Sequence, residues 1–160
     1  MKVLVVGSGM YVCGKNSQNY DGTVGPALLE AYKAKFISSI TLFSKSMESA
    51  QEACDILKKL QNLMNISCHI DSISSVDSVN SDDFDCAIIC TPDKHHAHYA
   101  ILLAKKGIHL LVVKPMATSA HEAEAMISAV NNAGVIGRVE YHKRYDESNI
   151  CLRNMIISKE

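Results

Sequence analysis

The chain has 160 residues, 48% of them hydrophobic and 21% charged, with a formal net charge of −1. This suits a single domain with a genuine core, without the basic surplus of a nucleic-acid binder or the acidic run of a solvating tail. No apolar stretch approaches the ~18 residues of a membrane span, and the first apolar run is too short for a signal peptide, so a cytoplasmic protein with no membrane or nucleic-acid partner is expected.

Val3, Leu4, Val5 and Val6 form a continuous run stopped by Gly7. Such a run predicts a strand buried on both faces, as in a parallel sheet. An irregular insertion is expected from Met10 to about Thr23, before Gly25-Pro26 opens a helix carrying Ala27, Leu28, Ala31 and Tyr32. Proline in a first helical turn loses no needed hydrogen bond. Residues 39–43 form the next predicted strand. Ser46 is placed to cap a helix whose apolar positions are Met47, Ala50, Cys54, Leu57, Leu60 and Met64. Alternation predicts a strand over 66–70. A buried strand is expected over 84–90, stopped by Thr91-Pro92-Asp93.

A helix through Ala97, Ile101 and Ala104 then ends at Gly107. Residues 108–113 form a strand before Pro115. Ser119 and Glu122 have capping-box spacing for a helix that runs to Gly134. A last strand is expected over 135–141 and a last helix over 147–157. This alternation predicts an α/β fold: a doubly wound parallel sheet of about six strands in three α/β/α layers, the Rossmann dinucleotide-binding architecture. The six cysteines include no C-x-x-C pair and read as reduced thiols.

Gly7, Ser8, Gly9 and Met10 directly follow the first strand, where glycine permits a tight turn and lets the backbone approach a pyrophosphate. A strict G-x-G-x-x-G would place glycine at Val12, so the motif is incomplete. The segment from Gly22 through Thr23 to Gly25 offers a second set of amides for phosphate at a helix start. The second strand ends in Ser44, Lys45 and Ser46. An NAD site usually carries Asp or Glu there, whereas hydroxyls and a cation suit a 2′-phosphate, so NADP is favoured over NAD. The same tip argues against a Rossmann-like methyltransferase, which would want an acidic residue there.

Between residues 91 and 146 several spaced motifs follow in one order: Thr91-Pro92-Asp93-Lys94-His95-His96, Ala104 to Pro115, Ala117 to Ala123, and Arg144-Tyr145-Asp146. In this order the chain resembles the cofactor domain of the Gfo/Idh/MocA oxidoreductases. The resemblance implies that Gly7, Ser8, Gly9 and Met10 touch the pyrophosphate. It also implies that Thr91, Pro92 and His96 border the bound dinucleotide, and that Lys114, followed by Pro115, faces the nicotinamide and the reacting carbon. Family members read Glu-Lys-Pro where this chain reads Val113-Lys114-Pro115, so a neighbouring carboxylate is missing. An ammonium at Lys114 would stabilise negative charge developing on a substrate oxygen, and partial desolvation would let it share in proton transfer.

The implied activity is hydride transfer between a nicotinamide and an oxygen-bearing carbon of a sugar, cyclitol or related polyol. A non-catalytic nucleotide-binding or sensor module is the alternative. On this resemblance residues 1–146 are the Rossmann domain. Residues 147–160 start a linking helix toward an absent substrate domain, which would also carry a homo-oligomer face. The chain is then expected to be a fragment that binds cofactor but is inactive alone.

Other residues carry weaker signals. His95 and His98 have helical spacing, but no Cys or carboxylate set completes a tetrahedral site, so no metal is expected. Cys13 reads as an ordinary loop thiol rather than a reactive one. Tyr11, Lys15 and Tyr20 are candidates for a lid over the cofactor. Arg144 and Tyr145 follow the last strand, where they either reach substrate or orient a domain junction.

Overall fold

Four consecutive apolar residues need cover on both sides, and strand β1 (Lys2–Val6) finds it in the middle of a sheet. Val3 and Val5 pack into one hydrophobic cluster, Leu4 and Val6 into the other. The computed structural model describes residues 1–15 and 22–158. Within them the further strands are β2 (Ser39–Phe43), β3 (His69–Ile73), β4 (Cys86–Ile89), β5 (His109–Val113) and β6 (Gly137–Glu140). All pairings are parallel, and the sheet order is β3-β2-β1-β4-β5-β6.

The helices among the described residues are α1 (Met10–Cys13), α2 (Val24–Lys33), α3 (Met47–Leu63), α4 (His96–Lys105), α5 (Ala120–Ala133) and α6 (Glu147–Ser158). Val12, Leu28, Leu29, Ala53 and Leu57 bring α1, α2 and α3 onto one face of the sheet. Ala97, Ala100, Leu103, Met126 and Ala129 bring α4 and α5 onto the other. The expected three-layer, doubly wound architecture is what this arrangement is. The chain winds from β1 outward to β3, then returns to the other side of β1 with β4. The loops leaving β1 and β4 therefore diverge and open a crevice at the carboxyl edge, where such sheets bind ligands.

Local boundaries differ from expectation in three places. The stretch after the glycine turn is not irregular throughout, because α1 starts at once at Met10. The third strand begins at His69 rather than Ile66. The chain turns at Asn65 with φ 53°, and the Ile66 and Cys68 amides are spent on the Gln61 carbonyl and side chain. β4 and β6 are shorter than the apolar runs that announce them. The last helix, α6, packs against a 3₁₀ turn at His142–Arg144 and leaves Leu152, Ile156 and Ile157 exposed. Among the described residues no helix is long and apolar enough to cross a membrane.

Candidate functional site

The crevice exists because two backbones meet closely. Gly7 has φ +128°, and a Cβ built there would lie 2.6 Å from the Cys90 carbonyl oxygen. Only glycine lets β1 end so tightly against the end of β4. Two residues on, a Cβ at Gly9 would meet nothing within 4 Å, so that backbone borders open space. This space is about 740 Å³, within the ~300–1,000 Å³ typical of small-molecule sites. Its walls include Gly7, Ser8, Gly9 and Met10 from the first turn, Ser44 and Lys45 from the tip of β2, and Thr91 and Pro92 after β4. The Ser8 hydroxyl lies 2.9 Å from that of Ser44, joining the two loops. Thr91 Oγ1 is buried and has no hydrogen-bond partner among the described residues. An orphaned buried hydroxyl costs ~1–3 kcal/mol, and a χ1 turn toward the crevice would let an oxygen-rich ligand relieve it. The Gly7, Val12 and Cys13 amides are spent on the Phe43 and Gly9 carbonyls, so the Ser8, Gly9 and Met10 backbone forms the ligand-facing part of the turn. Glycine cradle, amides and orphaned hydroxyl together fit a dinucleotide.

Other residues named from the sequence stand apart from this crevice. Thr23 begins α2 and borders a separate small cavity with Tyr11, Ala27 and Glu140. The nearby Gly25 serves packing, since a Cβ there would sit 2.3 Å from Leu57 Cδ2 and 2.7 Å from the Val12 carbonyl oxygen. The segment 22–25 thus wedges α2 against α1 and α3 and stands apart from the crevice at the glycine turn. Ser46 caps α3, accepting from the Ser49 amide, and does not wall the crevice. His96 is completely buried, with Nδ1 2.7 Å from the Pro115 carbonyl oxygen and Nε2 2.8 Å from that of Thr91. Its ring ties the end of β4 to the turn after β5 instead of lining the ligand space. Pro115 enters this tie through its carbonyl and follows a cis peptide bond from Lys114.

Lys15 is not a lid. Its ammonium donates to Ser49 Oγ at 2.7 Å and pairs with Glu52 at 2.5 Å, which fixes it on α3. Tyr20 lies outside the described residues, while Tyr11 does wall the crevice. Cys13 is buried, and burial raises its thiol pKa, which removes the thiolate a reactive cysteine needs. Burial, followed by the nearby Glu140 carboxylate, pushes the Cys90 thiol up to about 12.

Lys114 belongs to a second concavity farther along the carboxyl edge, past β5 and β6. This groove of about 690 Å³ is lined by Lys114, Tyr141, His142, Lys143, Arg144 and Tyr145, with Asn149 and Arg153 contributed by α6. Lys114 is exposed here, so the expected partial desolvation is not found within this chain.

Sequence reasoning missed Glu140, which lies in register with Val113 on the neighbouring parallel strand and so on the same face. Glu140 accepts from the Tyr11 hydroxyl at 3.1 Å and lies 2.9 Å from His142 Nδ1. The carboxylate absent at 113 thus has a counterpart one strand away, and only strand register could have revealed it. Tyr99 and His98 also reach the crevice, from the first turns of α4. Asn149 and Arg153 were read as part of a linking helix, and their four-residue spacing was the available signal of a shared face.

Residues 1–141 match the oxidoreductase family with an NAD-binding Rossmann fold, Gfo/Idh/MocA. The chain is 34% identical over 79 residues to a 4-carboxy-2-hydroxymuconate-6-semialdehyde dehydrogenase of Sphingobium sp., covering 49% of this chain and 25% of that one. It is 41% identical over 56 residues to a scyllo-inositol 2-dehydrogenase (NADP(+)) of Bacillus subtilis, covering 35% and 17% of the two chains. A levoglucosan dehydrogenase solved with NADH and levoglucosan shares the fold, with a TM-score of 0.71 and 22% identity. That superposition covers 99% of this chain and 39% of the other, so the chain spans about two fifths of that relative's length.

Proposed function

This chain belongs to the Gfo/Idh/MocA oxidoreductases, and from that membership we propose that it binds NADP at the carboxyl edge of its sheet. There it serves oxidation or reduction at an oxygen-bearing carbon of a sugar, cyclitol or related polyol. The observation that carries this reading is the crevice: an open glycine turn, a hydroxyl-and-lysine tip and Thr91 line one volume. Relatives named for inositol and levoglucosan support the substrate class. The relatives divide between NADP and NADH, so the preference for NADP rests on this chain's own residues.

The bound nicotinamide supplies the two-electron acceptor or donor. The Gly7 amide is spent on the Phe43 carbonyl and closes the turn, so the main-chain amides of Ser8, Gly9 and Met10 would hold the diphosphate. Thr91 and Pro92, at the end of β4, would border it. No carboxylate stands at 44–46 to repel a 2′-phosphate, and Lys45 offers it a cation. On the groove side, the Lys114 ammonium stabilises negative charge on the substrate oxygen. In reduction it gives its proton to the carbonyl oxygen as the carbon gains hydride. In oxidation the same ammonium would lie beside the oxygen whose proton departs as the carbon loses hydride. His96 acts at one remove by fixing the Lys114–Pro115 turn against Thr91. The exposed apolar residues of α6 fit the start of a connection to a substrate-binding domain.

Replacing Lys45 by Gln tests the cofactor assignment. NADPH affinity should fall by ~tenfold, the size of one charge-assisted contact, with NADH affinity nearly unchanged. Equal loss for both coenzymes would contradict a 2′-phosphate at Lys45.

A further inference from the structure

The groove beside Lys114 is strongly one-signed. Lys114, His142, Lys143, Arg144 and Arg153 line it, and no acidic side chain does. Two of these five bases are answered locally. Lys143 donates to Asp146 Oδ2 at 3.0 Å, and His142 lies against Glu140. That hydrogen bond from Lys143, and its charge, hold the Asp146 carboxyl below the usual range. Lys114, Arg144 and Arg153 have no ion-pair partner among the described residues. Arg144 stands over the Tyr141 ring at 5.7 Å, a contact that orients a guanidinium without neutralising it.

A chain with a net charge of −1 has thus gathered three unanswered cations around one concavity. Cations gathered around one concavity focus a positive potential there and draw an anion into it. The phosphates of a dinucleotide do not supply it, because their cradle lies on the β1 side of β4 and the groove lies past β5 and β6. Two guanidiniums present planar donor forks that suit carboxylate or phosphate oxygens. Tyr141 and Tyr145 add exposed ring faces and hydroxyls for a polyhydroxylated skeleton.

We infer that the second reactant is an acidic polyol: a hydroxylated carbon skeleton carrying a carboxylate or a phosphate, whose oxyanion is held by Arg144 and Arg153. The carbon to be oxidised or reduced then lies toward Lys114. This inference rests on the oxidoreductase reading and narrows its substrate class to the anionic members.

The test is calorimetric titration of the chain, alone and saturated with NADPH, with D-glucuronate, D-glucose 6-phosphate and D-glucose. At least one of the two anions is expected to bind ~tenfold or more tightly than neutral glucose with NADPH present, the size of one or two charge-assisted contacts. The tighter anion identifies the oxyanion. Arg153→Gln, an exposed helix position, should weaken that anion about fivefold or more and leave NADPH affinity alone. The inference is overturned if all three ligands bind equally, if Arg153→Gln changes nothing, or if the anion competes with NADPH. Anion binding sensitive to Arg153 in a chain that takes up no NADPH would uphold the groove and overturn the cofactor reading instead.

Discussion

His96 has no solvent exposure, and both of its ring nitrogens face carbonyl oxygens, those of Pro115 and Thr91. These carbonyls belong to the loops after β5 and β4, so one ring sets the spacing between the crevice wall and Lys114. Replacing it by Phe keeps an aromatic of similar shape but removes the ring N–H that ties these part-buried carbonyls together. The expected cost is ~1–3 kcal/mol of stability, seen as a lower urea midpoint, with weaker NADPH binding. An unchanged midpoint would mean that the two carbonyls find other donors. The sequence places His96 near the fourth strand's end, but not its direction. Its partners lie 5 and 19 residues away, and only the packed turn after β5 turns the ring toward them rather than toward ligand.

Elements with strong local signals are the legible ones. Ser119 caps α5 by accepting from the Glu122 amide, as the capping-box spacing predicts. The reciprocal half differs: Glu122 reaches back past the cap and accepts from the Thr118 hydroxyl at 2.6 Å and the Thr118 amide at 3.0 Å. Those two bonds hold the Glu122 carboxyl below the usual range. A carboxyl lowered on folding contributes stability above its unfolded pKa of 4.5 and loses that contribution as pH falls through its folded value. Glu122→Gln should therefore flatten the decline in urea midpoint between about pH 6 and about pH 3, with little pH dependence added elsewhere. An unaltered acid slope would remove Glu122 from the account. By contrast, α1 was not legible. Its four residues are too few to display a helical period, and it is held by burial of Val12 and Cys13 rather than by propensity. The third strand was displaced because the cap of α3 consumes residues that alternate in apolar character, and periodicity cannot detect that competition.

At the scale of the molecule, alternation of strands and helices was enough to give a parallel sheet, and the sheet's winding order gives the crevice. Two compartments then share the carboxyl edge, one over β1, β2 and β4 and one past β5 and β6, with Lys114 after β5 at the second. The sequence pointed to most walls of the first. The second was only hinted at through Lys114, Arg144 and Tyr145, because Arg153 joins them across the 3₁₀ turn by tertiary placement alone.

The central claim is that a dinucleotide lies on the turn from Gly7 to Met10, and Gly9 permits a direct measurement of it. Its backbone, with φ −82° and ψ −168°, accepts any residue, and a Cβ there touches nothing within 4 Å. Gly9→Val should leave the fold and its urea midpoint intact while filling the space the diphosphate needs. Calorimetric titration with NADPH should then show one site on the wild-type chain and no detectable binding to the folded variant. Equal binding by both chains would place the cofactor elsewhere and contradict the account.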